Sequence, residues 1–107
     1  GKVERVGIGI RVMPEWRVAQ FRLRGVLIEE LYEGGAAAQA GLRPTLQIGV
    51  KEVLLGDLII GVDQVPVKSA IDLYRAFDQL QPGTEVKIKI IREGKEEIVP
   101  MRLQVIQ

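Results

Sequence analysis

Apolar residues alternate with polar or small residues in several short stretches of the chain, which is the two-residue period of a β-strand with one buried face. The first stretch, residues 8–13, joins a glycine-bearing turn to an alternation that buries Ile10 and Val12. The same alternation returns at residues 85–91 and 96–105, on either side of a charged turn. We therefore predict a strand after the first turn and a closing β-hairpin.

Two further stretches predict strands of a different kind. Residues 25–31 begin with an almost unbroken apolar run, which is typical of a strand buried on both faces. Residues 56–67 predict a strand, a tight turn at Asp63 and Gln64, and a return strand that Pro66 keeps at the edge of a sheet.

Helical signals separate these strands. Residues 36–40 are rich in Ala, the best helix former, and Gly41 stops them. Residues 70–80 predict a longer helix, in which Ser69 is the N-cap and Asp72 its acidic capping-box partner.

Two stripes of the longer helix predict different surroundings. The apolar stripe, which should face the core, consists of Leu73, Phe77 and Leu80. The adjacent stripe consists of Asp72, Ala76 and Gln79. The small Ala76 at its centre predicts a trough between this helix and the first strand, although a plain surface alanine fits the pattern equally well.

Three other segments have competing interpretations. Pro14 starts a helical turn, and we expect Trp16 and Phe21 to cover the core while the neighbouring arginines face solvent or an acidic partner. Residues 43–54 hold more apolar side chains than a solvated loop needs, and we expect them to tuck back onto the domain rather than touch a neighbouring one. Asp57 is expected to bond nearby backbone amides rather than act as an acid.

Composition narrows the function. A chain of 107 residues fits one domain, and 15 basic against 14 acidic residues, interspersed, argue against nucleic-acid binding. No apolar run is long enough for membrane insertion, and the first residues already read as part of a folded pattern, as in an excised domain. The chain has no Cys or His, and Ser69 is its only Ser, so neither an enzyme, a metal site nor a cofactor is expected.

The turn before the first strand is the candidate binding element. Gly7 and Gly9 clear side chains from it, so its amides can point at an anion, although a simple turn fits the same residues. A nucleotide-binding fingerprint would need a third glycine and a following helix. We interpret the anion as the free carboxylate of a partner peptide that lies along the first strand.

The whole pattern resembles a PDZ domain, and more narrowly the one that follows the protease domain in HtrA/Deg-type serine proteases. The matching stretches are GIGI at residues 7–10, GGAAAQAGL at 34–42, LGDLIIGVDQVPV at 55–67 and DLY at 72–74. The resemblance implies an α+β, mainly β fold: a partly open β-barrel or sandwich of five to six strands with two helices. It further implies a circularly permuted order, in which the final strand takes the place of the first strand of other PDZ domains.

The resemblance also implies partners and a site. The partners would be C-terminal peptides of unfolded or cleaved proteins, the parent protease domain and neighbouring subunits, in a cell envelope or chloroplast. Residues 1–107 would form one PDZ domain, with residues 1–4 a remnant of the linker from the protease domain. The residues that the resemblance implies for binding the peptide carboxylate are Gly7, Ile8, Gly9, Ile10 and, through water, Arg5. The strand and groove that hold the peptide comprise Arg11, Val12, Met13, Asp72, Leu73, Ala76, Phe77 and Gln79.

Two departures and two alternatives accompany this interpretation. A large residue is frequent in the family where Gly7 stands, which predicts a more mobile loop, and Asp63-Gln64 replaces the frequent Asn-Gly. The domain could instead dock protease domains into an oligomer with its groove unused or self-occupied. It could also belong to a membrane-embedded or C-terminal-processing protease.

Overall fold

A computed structural model describes residues 5–106, so the predicted linker remnant at residues 1–4 lies outside the described residues. The described strands are β1 (Arg5–Gly7), β2 (Ile10–Val12), β3 (Val26–Leu31), β4 (Leu46–Gln47), β5 (Val53–Leu54), β6 (Leu58–Val62), β7 (Val65–Pro66), β8 (Glu85–Arg92), β9 (Lys95–Arg102) and β10 (Gln104–Ile106). The described helices are α1 (Glu15–Gln20), α2 (Ala36–Gln39) and α3 (Ala70–Asp78). The predicted mainly β, α+β class is confirmed, and the predicted turn after Pro14 forms a third helix.

One antiparallel sheet organises the domain. Its strands run in the order β2-β3-β6-β8-β9, and β7 pairs with β6. The chain leaves this sheet at Leu103, and β10 pairs antiparallel with β1, next to the first turn. Within residues 5–106, no strand pairs with the outer edge of β2. The main sheet therefore ends in a free edge beside the predicted binding loop.

The core confirms the strand and helix patterns. Val26, Leu27 and Ile28 are fully buried at the start of β3, as the apolar run predicts. On α3, Leu73 and Phe77 are buried in the main core. The Asp72 amide donates to Ser69 Oγ at 3.3 Å, which confirms the predicted cap. Capping and burial together fix α3 across one face of the sheet.

Two surface expectations are wrong. Trp16 is 67% exposed, because α1 turns Val18 rather than Trp16 towards the core. Residues 43–54 do not tuck back: β4 and β5 form a small separate hairpin whose apolar side chains remain exposed. Those exposed side chains are Leu46, Ile48, Val50 and Leu54. Two residue pairs join the strands of this hairpin to each other, and neither strand pairs with the main sheet.

A buried ion pair joins the ends of two central strands. Asp57 is 1% exposed and accepts from Arg92 through both carboxylate oxygens, at 2.8 and 2.7 Å. It also accepts from the Arg43 amide at 2.8 Å, so Asp57 does bond a backbone amide, but one 14 residues earlier in the chain rather than in the turn before its strand. The hydrogen bond with Asp57 raises the pKa of Arg92 above its ordinary value. Bidentate geometry and burial make this the strongest side-chain pair described.

Two glycines near the first turn have left-handed backbones but different surroundings. Gly9 has φ +79°, and a Cβ placed there would lie 3.1 Å from the Cα of Gly35. Gly34 has φ +77°, and a Cβ placed there would meet nothing within 4 Å. The first turn therefore packs tightly against the start of α2, and a side chain at residue 9 would have to displace the backbone there by a few tenths of an ångström.

Removing the Arg92 guanidinium should destabilise the fold strongly. Arg92→Met leaves the buried Asp57 carboxylate without its charged partner, and we expect the free energy of unfolding to fall by about 3–5 kcal/mol. The control is Arg11→Met, whose exposed pairs with Glu29 and Glu30 should cost less than about 1 kcal/mol. Urea denaturation measures the free energy of unfolding of both variants. Equal losses would show that the Asp57–Arg92 pair stabilises the fold no more than the exposed pairs of Arg11 do.

Alanine substitutions at the two left-handed glycines should differ in cost. Gly34→Ala should lower the free energy of unfolding by about 1–2 kcal/mol, the cost of the left-handed backbone alone. Gly9→Ala should cost at least about 1 kcal/mol more, because its Cβ also presses on Gly35. Thermal or urea unfolding of the two variants gives the difference. A Gly9→Ala loss no larger than the Gly34→Ala loss would show that the turn does not pack tightly on α2.

Candidate functional site

The outer edge of β2 presents free backbone groups. Ile10 lies opposite Leu31, and the flanking bond runs from the Tyr32 amide to the Gly9 carbonyl at 2.9 Å. That position identifies a non-hydrogen-bonded pair, so the N–H and C=O of Ile10 point away from β3. The bond from the Met13 amide to the Leu27 carbonyl, also 2.9 Å, places Val12 in the same way. Both residues can therefore pair with an added strand.

The carbonyl groups of the predicted binding turn, residues 7–10, fix the direction of its amides. The Ile8 carbonyl accepts from the Ala37 amide at 2.8 Å, and the Gly9 carbonyl accepts from Tyr32. In a trans peptide the C=O and the next N–H point in opposite directions. The amide of Gly9 therefore points away from α2, and that of Ile10 away from β3. Among residues 5–106, the amides of Ile8 and Gly9 donate to no protein acceptor.

A cavity of about 550 Å³ opens beside this turn and edge. Ile8, Ile10 and Val12 line one side. From α3 come Tyr74, Phe77 and Asp78. The remaining lining comes from β1, β10 and the turn after β3. The groove therefore offers apolar walls, outward amides and a free strand edge in one place.

Arg5 brings positive charge to the same cavity. Its exposed side chain lies on β1 and lines the cavity, where it forms no ion pair with another described residue. The carboxylates of Glu33 and Asp78 also line the cavity, so the charge along it is mixed. Within residues 5–106, no group of three or more acidic or other candidate ligands could hold a metal ion, and no helix is long and apolar enough to span a membrane.

The structure brings together most of the predicted site. Seven of the predicted residues line the cavity: Arg5, Gly7, Ile8, Gly9, Ile10, Val12 and Phe77. Leu73 is 1% exposed and belongs to the core beneath α3 rather than to the lining. The grouping follows from the two-residue period of β2, which sends Ile10 and Val12 to one face.

Arg11 and Met13 lie on the opposite face of β2. Arg11 forms ion pairs with Glu29 at 3.3 Å and Glu30 at 2.8 Å on the surface. Met13 is 2% exposed and packs in a smaller core with Val18 of α1. Neither residue lines the cavity, and the Met13 amide is already bonded to the Leu27 carbonyl, so the structure does not bring these two predicted residues into the groove.

The depression around Ala76 does not lie beside the first strand, where the sequence pattern placed it. Three predicted residues instead line a separate depression of about 300 Å³ beside β6 and β7: Asp72, Ala76 and Gln79. The face of α3 that turns to the groove is the one on the other side of the core stripe, with Tyr74 and Asp78. Asp72 also accepts from the Lys68 amide at 2.9 Å, so it serves the helix cap.

Sequence reasoning missed Tyr74, Asp78 and Gln104 as cavity residues. The spacing of Tyr74 three residues before Phe77 and four before Asp78 is the available signal, because residues so spaced share a helix face. Gln104 lies on β10, and only the pairing of β10 with β1 brings it to the turn.

Gly7 is buried and pairs with β10. It lies in β1 opposite Gln104, and a Cβ placed on it would lie 2.8 Å from Ile106 Cδ1. The Ile106 side chain therefore occupies the space next to Gly7 that a large residue would take. The Gly7 backbone is therefore buried against β10 in this structure.

Comparisons with known proteins agree with this geometry. The family model described as "PDZ domain" matches residues 6–103. "Protease Do-like 1, chloroplastic" from Arabidopsis thaliana is 36% identical over 104 residues, which are 97% of this chain and 24% of that protein. "Protease Do-like 8, chloroplastic" from the same plant is 36% identical over 98 residues, 91% of this chain and 22% of that protein. The chain thus spans about a quarter of the length of these relatives.

Solved structures match the whole fold. The chain aligns with "HtrA-type protease AlgW with decapeptide" at a TM-score of 0.74 and 20% identity, covering 100% of this chain and 31% of that one. It aligns with the HtrA3 PDZ domain bound to a phage-derived ligand at a TM-score of 0.71 and 17% identity, covering 99% and 91%. The chain therefore belongs to the PDZ domain family, as its resemblance predicted, and it has the fold of the PDZ domains of HtrA-type proteases.

Proposed function

We propose that this domain captures the C-termini of partner polypeptides by strand addition to β2, and that it controls or feeds an attached HtrA/Deg-type serine protease. The observation that carries the proposal is the outward direction of the Ile10 and Val12 backbone groups at a free sheet edge. Main-chain bonds to that edge make no demand on peptide sequence. Backbone groups of β2 would thus provide affinity, and the side chains that line the cavity would provide selectivity.

The carboxylate of the peptide would be held at the turn. The amides of Ile8, Gly9 and Ile10 are the donors in this proposal, and Arg5 adds positive charge to the cavity. Charged hydrogen bonds are about twice as strong as neutral ones, so a free C-terminus would be preferred to an internal segment. Exposed C-termini of unfolded or cleaved proteins have this chemistry.

The last side chain of the peptide would enter the apolar part of the cavity. Ile8 and Phe77, both at most 3% exposed, form its floor. Burial of one apolar side chain contributes roughly 1.5–3 kcal/mol, and association costs offset part of the total. We expect affinities of about micromolar, near −8 kcal/mol, which suits reversible sampling of chain ends.

The link to a protease rests on the relatives. Curated relatives include plant and bacterial proteins named as Do-like or DegP-like proteases, and "Serine endoprotease DegS" from Escherichia coli is 26% identical over 83 residues. Two of the matched HtrA-type structures carry a peptide in their names. These names support an attached serine protease as the domain's partner.

A second candidate role is docking between protein domains. The exposed apolar side chains of the β4–β5 hairpin favour it, with Val50 98% exposed. A module that served only this purpose would need no peptide in its groove. The peptide titration described next separates the two roles, because such a module would bind neither form of the peptide.

Amidation of the peptide terminus should weaken binding. A peptide with an apolar last residue and a free carboxylate should bind at about micromolar affinity, and its amidated twin at least tenfold more weakly, since a charged hydrogen bond contributes roughly 1.5–3 kcal/mol. Isothermal titration calorimetry measures both. Equal affinities would rule out capture of the carboxylate by the turn.

The two faces of α3 should respond differently to the same new charge. Tyr74→Glu places a carboxylate on the groove face and should weaken binding of the free-carboxylate peptide by about tenfold or more. Ala76→Glu changes the face that lines the separate depression. The affinity of this variant for the same peptide should stay within about twofold of that of the unmodified chain. The opposite ranking would place the groove on the Ala76 side.

A further inference from the structure

Gln104 connects β10 to the start of α2. Its side-chain Oε1 accepts a hydrogen bond from the Ala36 amide, 68 residues earlier in the chain. Ala36 is the first residue of α2, and the N-cap Gly35 has no side chain that could make this bond. Gln104 therefore performs the capping that the local sequence of α2 does not supply.

The same side chain contacts the binding turn. A Cβ placed on Gly9 would lie 3.3 Å from Gln104 Oε1, and one placed on Gly35 would lie 3.4 Å from it. The two glycines thus leave the space in which the Gln104 amide group sits. Gln104 lies opposite Gly7 in the β1–β10 ladder. This register places its side chain close enough to reach the start of α2.

The amide next to the capped one orients the turn. Ala37, which follows the residue held by Gln104, donates to the Ile8 carbonyl at 2.8 Å. That bond turns the Gly9 amide away from α2 and towards the cavity. The position of the first turn of α2 therefore determines where the Gly9 amide points.

We infer that Gln104 is a positioning residue of the peptide-binding turn: by holding the Ala36 amide it fixes the start of α2, and through the Ala37–Ile8 bond it aims the Gly9 amide at the ligand carboxylate. The inference rests on the proposed function for its last step. Its first steps concern the ligand-free domain and can be measured without a peptide. Gln104 also lines the cavity, but in this scheme it acts on the peptide through α2.

The first variant removes the acceptor alone. Gln104→Met keeps the length of the side chain but cannot accept from Ala36. In the ligand-free chain, hydrogen exchange of the Ala37 amide should accelerate about fivefold, while exchange in the core strands stays unchanged. Affinity for the free-carboxylate peptide should fall about fivefold, the equivalent of one neutral hydrogen bond.

The second variant removes the donor. Ala36→Pro eliminates the N–H that Gln104 serves, and proline suits the first helical position. Gly35 has ψ 164°, an extended conformation that tolerates a following proline. The proline ring carbon takes the place of the amide hydrogen, so the Gln104 side chain must turn aside from the nitrogen of residue 36 in the Ala36→Pro chain. In that background, Gln104→Met should change the peptide affinity by less than about twofold. NMR spectra of all four chains establish that each remains folded.

The outcomes decide the inference separately from the proposed function. If Gln104→Met weakens binding equally in both backgrounds, the side chain acts directly on the peptide and the positioning role is wrong. Unchanged exchange at Ala37, or faster exchange without loss of affinity, also overturns it. If the unmodified chain binds neither peptide form, the proposed function fails, and the exchange of Ala37 alone decides whether Gln104 fixes α2.

Discussion

The planarity of two peptide bonds determines where the amides of the turn before β2 point. The carbonyls of Ile8 and Gly9 are bonded inside the domain, to Ala37 and Tyr32, so the amides that follow them must face outward. No side chain is needed to create this direction, which explains how a turn of apolar residues and glycines could serve an anion. Bonds within the domain orient these amides, and such preorganisation would lower the entropic cost of the proposed carboxylate binding.

A free sheet edge can pair with a ligand strand, but it can also cause aggregation. Unpaired backbone groups invite association with any extended chain, and proteins limit that risk by keeping edge strands short or covered. Here β2 has three residues, Pro14 follows shortly after it, and α3 confines the approach to one groove. The short edge and the helix beside it thus limit the length of strand that β2 offers for pairing.

The sequence predicted those features that depend on local periodicity. Alternation at Ile10 and Val12 found the edge strand and its groove-facing side chains, and Ser69 with Asp72 found the start of α3. Periodicity could not decide which stripe beside the core stripe of α3 faces β2, because that choice depends on how the helix crosses the sheet. For the same reason Ala76 was assigned to the groove in place of Tyr74. Arg92 and Gln104 were missed because their partners, Asp57 and Ala36, lie 35 and 68 residues away along the chain.

The contact between Gly7 and Ile106 has an evolutionary consequence. A Cβ at position 7 would lie 2.8 Å from Ile106 Cδ1, so the two positions share one volume. A relative with a bulky aromatic residue at the position of Gly7 would need a different rotamer of the residue at position 106, a smaller residue there or a displaced strand. Residue sizes at these two sites should therefore covary inversely across the family, tying the first strand of the domain to its last.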